Sequence, residues 1–262
     1  MLPSRVHAKK YLGQHFLKDD GVARRVADSL TGHQGYGLVL EVGPGTGALS
    51  RHLVDRPGFR WMGIEVDRES IAYLHRHFPD WAPRVVEADF LRLDVGAWIG
   101  KEPFAVAGNF PYHISSQILF KVLQHRQQVP EVVGMFQKEV AERIASGPGN
   151  KTYGILSVLM QAYYRVELLF TVSHTVFEPP PKVQSAVLRL RRKEDISLGC
   201  DEDLFVRVVK TAFNQRRKTL RNALKIMQPD WDALPEGMGS LRAEALGVPG
   251  FVTLTRQVPP RT

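Results

Sequence analysis

The chain has 262 residues, 44% of them apolar, which suits one large packed domain or a main domain with a small appendage. Its single cysteine, Cys200, excludes an intramolecular disulfide and any multi-cysteine metal cluster, and no apolar run approaches the length of a membrane span. The formal net charge of +8 favours polyanionic partners, nucleic acid or an anionic membrane surface.

Met1-Leu2-Pro3-Ser4-Arg5 carries no apolar h-region, so no secretory signal is expected. Motifs that begin almost at the first residue speak against a mitochondrial transit peptide, and a reducing, cytoplasmic setting is expected. Residues 19–31 then read as an amphipathic helix, with Val22, Val26 and Leu30 on one face. Residues 38–42 form a short apolar strand, Gly43-Pro44-Gly45-Thr46-Gly47 a tight turn, and 48–54 a helix. A second strand at 60–64 ends at Glu65-Val66-Asp67 and precedes a helix from about 68 to 77. A third strand, 84–87, ends at Ala88-Asp89-Phe90, and a fourth, 104–107, leads into Asn109. Ser115 is expected to cap a helix through Ile118, Leu119 and Val122. A fifth strand at 131–136 and a helix at 138–145 follow, then a polar loop at 146–153 and a helix from 155 to about 163. Strands near 166–170 and 183–190, with Pro179-Pro180-Pro181 between them, are expected to pair antiparallel at the sheet edge. After Lys193 the pattern turns helical, at 204–213, 218–227 and 241–246, with no strand between. Strands alternating with helices imply an α/β fold with a largely parallel sheet, here 1–194, and a small all-helical domain, 195–262.

Asn109-Phe110-Pro111-Tyr112 suits one uncommon task, methylation of an exocyclic amine on a flat base. The amine of adenine is a poor nucleophile because its lone pair is delocalised into the ring. An Asn side-chain oxygen and a neighbouring backbone carbonyl can accept its two hydrogens and draw the nitrogen toward a tetrahedral shape. Pro111 fixes φ, and Tyr112 offers a face for stacking. A turn after a strand accounts for these four residues alone equally well.

The glycine-rich turn that starts at Glu41 is neither G-x-G-x-x-G nor a P-loop, so a nucleoside is expected there rather than a phosphate; a plain tight turn is the competing reading. Glu65, at a strand end, is placed to accept from both ribose hydroxyls, and Asp89 from an adenine amino group. Each carboxylate alone is more often a surface or capping group. The ordered set at four successive strand ends is more specific, and describes an S-adenosylmethionine site beside a base pocket. Lys9-Lys10, Arg189-Leu190-Arg191-Arg192-Lys193 and Arg216-Arg217-Lys218 form basic clusters; one alone reads as a solvated face, whereas three point to phosphate contacts.

These residues resemble the ribosomal RNA adenine-N6 dimethyltransferases, in particular the bacterial branch acting on small-subunit RNA. The likeness runs through Lys9-Lys-Tyr-Leu-Gly-Gln-His-Phe-Leu17, the motifs at 41–49, 64–67, 88–90 and 109–112, and the stretches 153–158, 177–183 and 212–222. It implies a Rossmann-like methyltransferase fold with an antiparallel edge, S-adenosylmethionine as cofactor, and no metal. His15 and Leu17 would line the cofactor site, Gly43 would touch the cofactor through backbone, Glu65 would hold the ribose and Asp89 the adenine. Asn109 and the carbonyl of Phe110 would polarise the amine, next to the cofactor, and Tyr112 and Phe177 would sandwich the flipped base. Lys9, Lys10, Arg216, Arg217, Lys218 and Arg221 would grip RNA phosphates. The implied reaction places two methyl groups on N6 of each of two adjacent adenosines in the 3′-terminal hairpin of small-subunit RNA, in a late pre-ribosomal particle, by a monomer without a membrane partner. Phe110 departs from the Leu or Ile of the resemblance, and its bulk is expected where a second methyl must fit; His113, and Ile155 in place of Arg, depart too. A non-catalytic RNA-binding assembly factor, and the same chemistry on large-subunit RNA or DNA adenine, remain open alternatives.

Overall fold

The computed structural model of the chain describes residues 6–259. The reading of Met1-Leu2-Pro3-Ser4-Arg5 lies outside them. Among the described residues nine strands run in chain order: β1 (Phe16–Leu17), β2 (Leu38–Val42), β3 (Arg60–Glu65), β4 (Val85–Glu87), β5 (Phe104–Asn109), β6 (Glu131–Gln137), β7 (Tyr164–Val172), β8 (Phe177–Glu178) and β9 (Ser185–Arg192). The α-helices among the described residues are α1 (Asp20–Asp28), α2 (Arg68–His77), α3 (Val95–Ile99), α4 (Ser115–Gln124), α5 (Lys138–Ala145), α6 (Ile155–Tyr163), α7 (Glu202–Asn214), α8 (Leu220–Ala223) and α9 (Val248–Arg256).

Seven strands form one sheet in the order β4-β3-β2-β5-β6-β9-β7. The pairs β2–β3, β3–β4, β2–β5 and β5–β6 are parallel, and β9 runs antiparallel to β6. This is the Rossmann-like order with an antiparallel edge. As expected, the last two long strands are neighbours at the sheet edge, with β9 between β6 and β7. The chain leaves β2 toward one edge and returns through β5 toward the other, so the switch point lies between these two strands. β2 is buried along its whole length, as a parallel strand covered on both faces must be. Asp19, Asp67 and Asp94 accept backbone N–H bonds at the starts of α1, α2 and α3 and set where those helices begin.

Two compact units emerge, 1–141 with 167–192, and 142–166 with 193–262. The break at 192/193 lies beside the expected 194/195 boundary, but residues 142–166 group with the C-terminal helices. The reason is local: Gln161 donates to the carbonyls of Ile144 and Ser146, and Tyr153 packs its ring edge-on against Phe213.

Several expected elements change. Residues 48–54 contain only a 3-10 turn, Ser50–His52, where i→i+3 bonds tighten the chain ahead of Pro57 and Gly58. Ser115 does not cap α4; Ile114 holds the cap position, and the Ser115 hydroxyl donates to the carbonyl of Tyr112. The expected helix 218–227 divides into α8 and a 3-10 turn, Lys225–Met227, and 241–246 keeps only the 3-10 turn Ala243–Ala245. α3 and α9 were not expected.

Candidate active site

The glycine turn leaves β2 with Gly43 at φ +73° and Gly45 at φ +57°, backbone that side chains avoid. Nothing lies within 4 Å of a Cβ built on Gly43, so a side chain there would intrude on open space above the turn. Glu65 closes the end of β3 and is 4% exposed. One of its oxygens accepts from the Gly45 N–H at 2.9 Å, the other from the Val66 and Asp67 N–H groups at 2.9 Å. Burial pushes its carboxyl upward against these three donors, which fix its orientation. Glu41 is buried close by, accepts from the Trp61 indole at 2.8 Å, and is pushed up to about 7 by burial. Asp89 follows β4; its carboxylate accepts from Leu91 N at 2.9 Å and faces the Arg92 guanidinium at 3.5 Å.

Asn109 ends β5. Its side-chain NH₂ donates to the carbonyl of His15 at 2.8 Å, and this assignment turns its oxygen away as an acceptor. Phe110 lines the same cavity, yet its ring is 1% exposed and meets Phe136 edge-on at 5.2 Å. Gly108 and Gly134 sit side by side in the β5–β6 register, and a Cβ on either would strike that ring, at 2.8 Å and 2.2 Å. The glycines make a slot for the ring in the sheet. The expected crowding of a second methyl by Phe110 is therefore corrected: its bulk is turned into the core. Tyr112 is half-buried, with its hydroxyl 2.6 Å from Ser185 Oγ, and burial raises its phenol.

The N-terminal segment crosses this site. Lys9 and Gln14 both bond Asp67, Gly13 at φ +61° packs on His113, and His15 Nδ1 meets the carbonyl of Pro179 at 2.7 Å. The His15 ring stacks on Tyr112, with centroids 5.5 Å apart. Leu17 pairs with Phe177 in the β1–β8 ladder. Phe177 is 1% exposed, packed in the core rather than lining the cavity, so the expected Tyr112–Phe177 pair is not brought together here. Phe177 and Leu17 share one core cluster, and His15 lies against Tyr112 instead.

His15, Leu17, Gly43, Glu65, Asp89 and the 109–112 segment thus line one cavity, at the switch point of the sheet. Val66, 52% exposed, lines it too. Sequence reasoning passed over Val66, although an apolar residue directly after a strand-end carboxylate was the available signal.

The ribosomal RNA adenine dimethylase family profile matches residues 5–234. The chain belongs to this family. It is 51% identical over 254 residues to the ribosomal RNA small subunit methyltransferase A of Flavobacterium johnsoniae, with 97% of each chain covered. It is 54% identical to that of Parabacteroides distasonis, covering 95% of this chain and 93% of the relative. The crystal structure of a dimethyladenosine transferase from Plasmodium falciparum superposes with a TM-score of 0.75 at 25% identity, covering 92% and 96% of the two chains. The dimethylase is thus an S-adenosylmethionine-dependent methyltransferase that dimethylates adenine N6 in ribosomal RNA.

The basic residues of the dimethylase divide into engaged and free. Lys9 forms an ion pair with Asp67 and lies 3.4 Å from Glu69, so it anchors the N-terminal segment instead of projecting as a phosphate ligand. The hydrogen bonds of Lys9, Gln14 and Ser70 outweigh burial and hold Asp67 below the usual carboxylate range. Lys10 is exposed. Arg189 and Arg191 both pair with Glu167, and Arg192 bonds Gln34 and the Arg126 carbonyl, so the middle cluster serves the fold. Arg216 donates to the Lys151 carbonyl at 2.6 Å and faces Glu244 at 3.6 Å. Arg221 lies over the Trp231 ring at 5.0 Å, while Arg217 and Lys218 are exposed. Arg217 and Lys218 occupy a turn between α7 and α8, and the helix expected from 218 starts at Leu220, because Lys218 N closes back on Gln215 O and Thr219 is extended.

Proposed function

We propose that the enzyme transfers two methyl groups to N6 of each of two adjacent adenosines in the 3′-terminal hairpin of small-subunit ribosomal RNA, within a late pre-ribosomal particle in the cytoplasm, and does so as a monomer. The observation that carries the reading is Asn109: its NH₂ is held by the His15 carbonyl, and its oxygen is left to accept, in the same cavity as Glu65 and Asp89. The small-subunit assignment is supported by the relatives' names.

The residues fit S-adenosylmethionine. A Cβ on Gly43 would fill the cradle above the turn, and the oriented Glu65 carboxylate suits a ribose diol. Asp89 is assigned to the adenine amino group, Val66 to a face of that ring, and His15 and Leu17 to the wall. The bound donor supplies an electrophilic methyl on a sulfonium centre. Asn109 Oδ1 and the Phe110 carbonyl accept hydrogens of the target amine and raise the nucleophilicity of N6 by aimed dipoles. Pro111 keeps those acceptors rigid. Alignment contributes about 7–11 kcal/mol in well-ordered cases, and the excess proton passes to solvent. A monomethylated amine has one hydrogen left, so a second transfer needs one acceptor rather than two. Tyr112 supplies one stacking face, and Phe177, which is buried in the core here, is assigned to the other. Residues 1–194 would hold the transfer chemistry, and 195–262 would grip RNA through Arg217 and Lys218, with Lys10 contributing from the N-terminus and Arg216 and Arg221 shaping the turn.

Transfer of labelled methyl to immature small subunits, compared with large subunits and duplex DNA, tests the reading. Incorporation confined to small subunits, released as dimethyladenosine, is expected. Preferential labelling of large subunits or DNA would reject the substrate, and RNA binding without transfer would favour a pure assembly factor.

A further inference from the structure

Lys121 is a lysine on α4 that is only 8% exposed and has no carboxylate within ion-pair distance among the described residues. Its ammonium donates to the carbonyl of Leu91 at 3.1 Å and that of Leu93 at 2.5 Å, and lies 5.5 Å from the centre of the Phe90 ring. These acceptors belong to one turn. Asp89 starts it, with its carboxylate on Leu91 N and its carbonyl on the N–H groups of Arg92 and Leu93. That turn therefore has its N–H groups tied by Asp89 and its carbonyls tied by Lys121. Removing the ammonium would leave two carbonyls and the orientation of the turn without their partner.

The other end of α4 bears on the target-base segment. Ile114 N donates to the Pro111 carbonyl at 3.1 Å, and the Ser115 hydroxyl to that of Tyr112 at 3.1 Å. A single helix thus clamps both the 109–112 segment and the turn that presents Asp89. We infer that Lys121 is a positioning residue for the methyl donor: it fixes the Asp89 turn at the height where the carboxylate reads an adenine amino group, and ties that height to the target-base segment. The burial of an ammonium, which lowers its proton affinity while Asp89 and Asp94 oppose this, fits a side chain retained for its three donors. The inference rests on the proposed assignment of Asp89 to adenine.

Calorimetry on the full chain with S-adenosylhomocysteine and its inosine counterpart, which lacks the amino group, tests it. Wild type should prefer the adenosine ligand, and Asp89→Ala should lose that preference. Lys121→Met should weaken the adenosine ligand about tenfold, leave the inosine ligand within about twofold, and spare the fold. Lys121→Arg, which keeps charge and donors, should restore most of the preference. Lys121→Gln carries the same comparison if the methionine variant does not fold. Full preference in Lys121→Met, or equal loss for both ligands, overturns the role of Lys121 while Asp89→Ala still reports on its own assignment. A wild type without preference, or an Asp89→Ala variant that keeps it, rejects the Asp89 assignment and the inference with it.

Discussion

Glu41 and Glu65 lie on adjacent strands beneath one glycine turn, and burial pushes both carboxyls upward. Glu65 is held by three backbone donors, whereas at Glu41 burial prevails over the opposing Ser50 hydroxyl and Trp61 indole. The folded value of Glu41, about 7, stands above its ordinary 4.5, so the folded state binds the extra proton between these values. Stability from this group is full below about 4.5 and declines as pH rises to about 7, by about 3 kcal/mol at most. Glu41→Gln, which keeps an acceptor for Trp61, should flatten the Tm profile between pH 5 and 8 relative to wild type. A variant profile parallel to wild type would show that Glu41 does not titrate there. At this scale the sequence was informative: Glu65, Asp89 and Asn109 stand at strand ends, and strand ends follow from the alternation of apolar runs with turns. The environment of Phe110 was not legible, because the glycine that receives its ring lies 24 positions away on another strand, as the numbers 110 and 134 show.

The β5–β6 pair shows how an element sets the width of the pocket. Gly134→Ala places a methyl within the Phe110 ring, so it should destabilise by about 1–3 kcal/mol through overpacking. It should also push Phe110 and its carbonyl toward the amine, so that monomethyladenosine accumulates while the first transfer slows less. Mass spectrometry of the modified RNA alongside a denaturant melt checks both. Unchanged stability with unchanged dimethyl product would mean that the slot is looser than its geometry. The elements that escaped the sequence share a cause. The segment before Leu17 is held by bonds to Asp67, Asn109 and Pro179, and by pairing with Phe177, all far away along the chain, so no local periodicity announces it. α9 opens on a Gly-Val-Pro start that reads as a turn until its buried Phe251 and Leu254 are seen packed. The helix expected from 218 starts later, at Leu220, because Lys218 N closes back on Gln215 O and Thr219 is extended.

For the whole molecule, the net charge of +8 describes a partner less directly than it first suggests, since Arg189, Arg191 and Arg192 serve internal bonds and Lys9 anchors the N-terminal segment. Exposed Arg217 and Lys218 are the residues expected to meet phosphates. RNA affinity should fall steeply with salt, and the double variant Arg217→Ala with Lys218→Ala should reduce the log–log slope by about 1.4–1.8. An unchanged slope would move the RNA contacts elsewhere, and a salt-insensitive affinity would remove the polyanion argument. No helix of the described residues is long and apolar enough to cross a membrane. The fold class was readable because sheet and helix alternate along most of the chain; the grouping of 142–166 with the C-terminal helices was not, since it depends on Gln161 and Tyr153 finding partners within that unit.

The central claim is that the strand-end segment Asn109-Phe110-Pro111-Tyr112 activates an adenine amine beside the methyl donor. Single-turnover transfer by Asn109→Ala on immature small subunits, measured with the affinity for S-adenosylhomocysteine, tests it most directly. Transfer should fall by about 10²–10³-fold, as for loss of one aimed dipole, while cofactor affinity stays largely intact. Transfer at the wild-type rate would contradict the account.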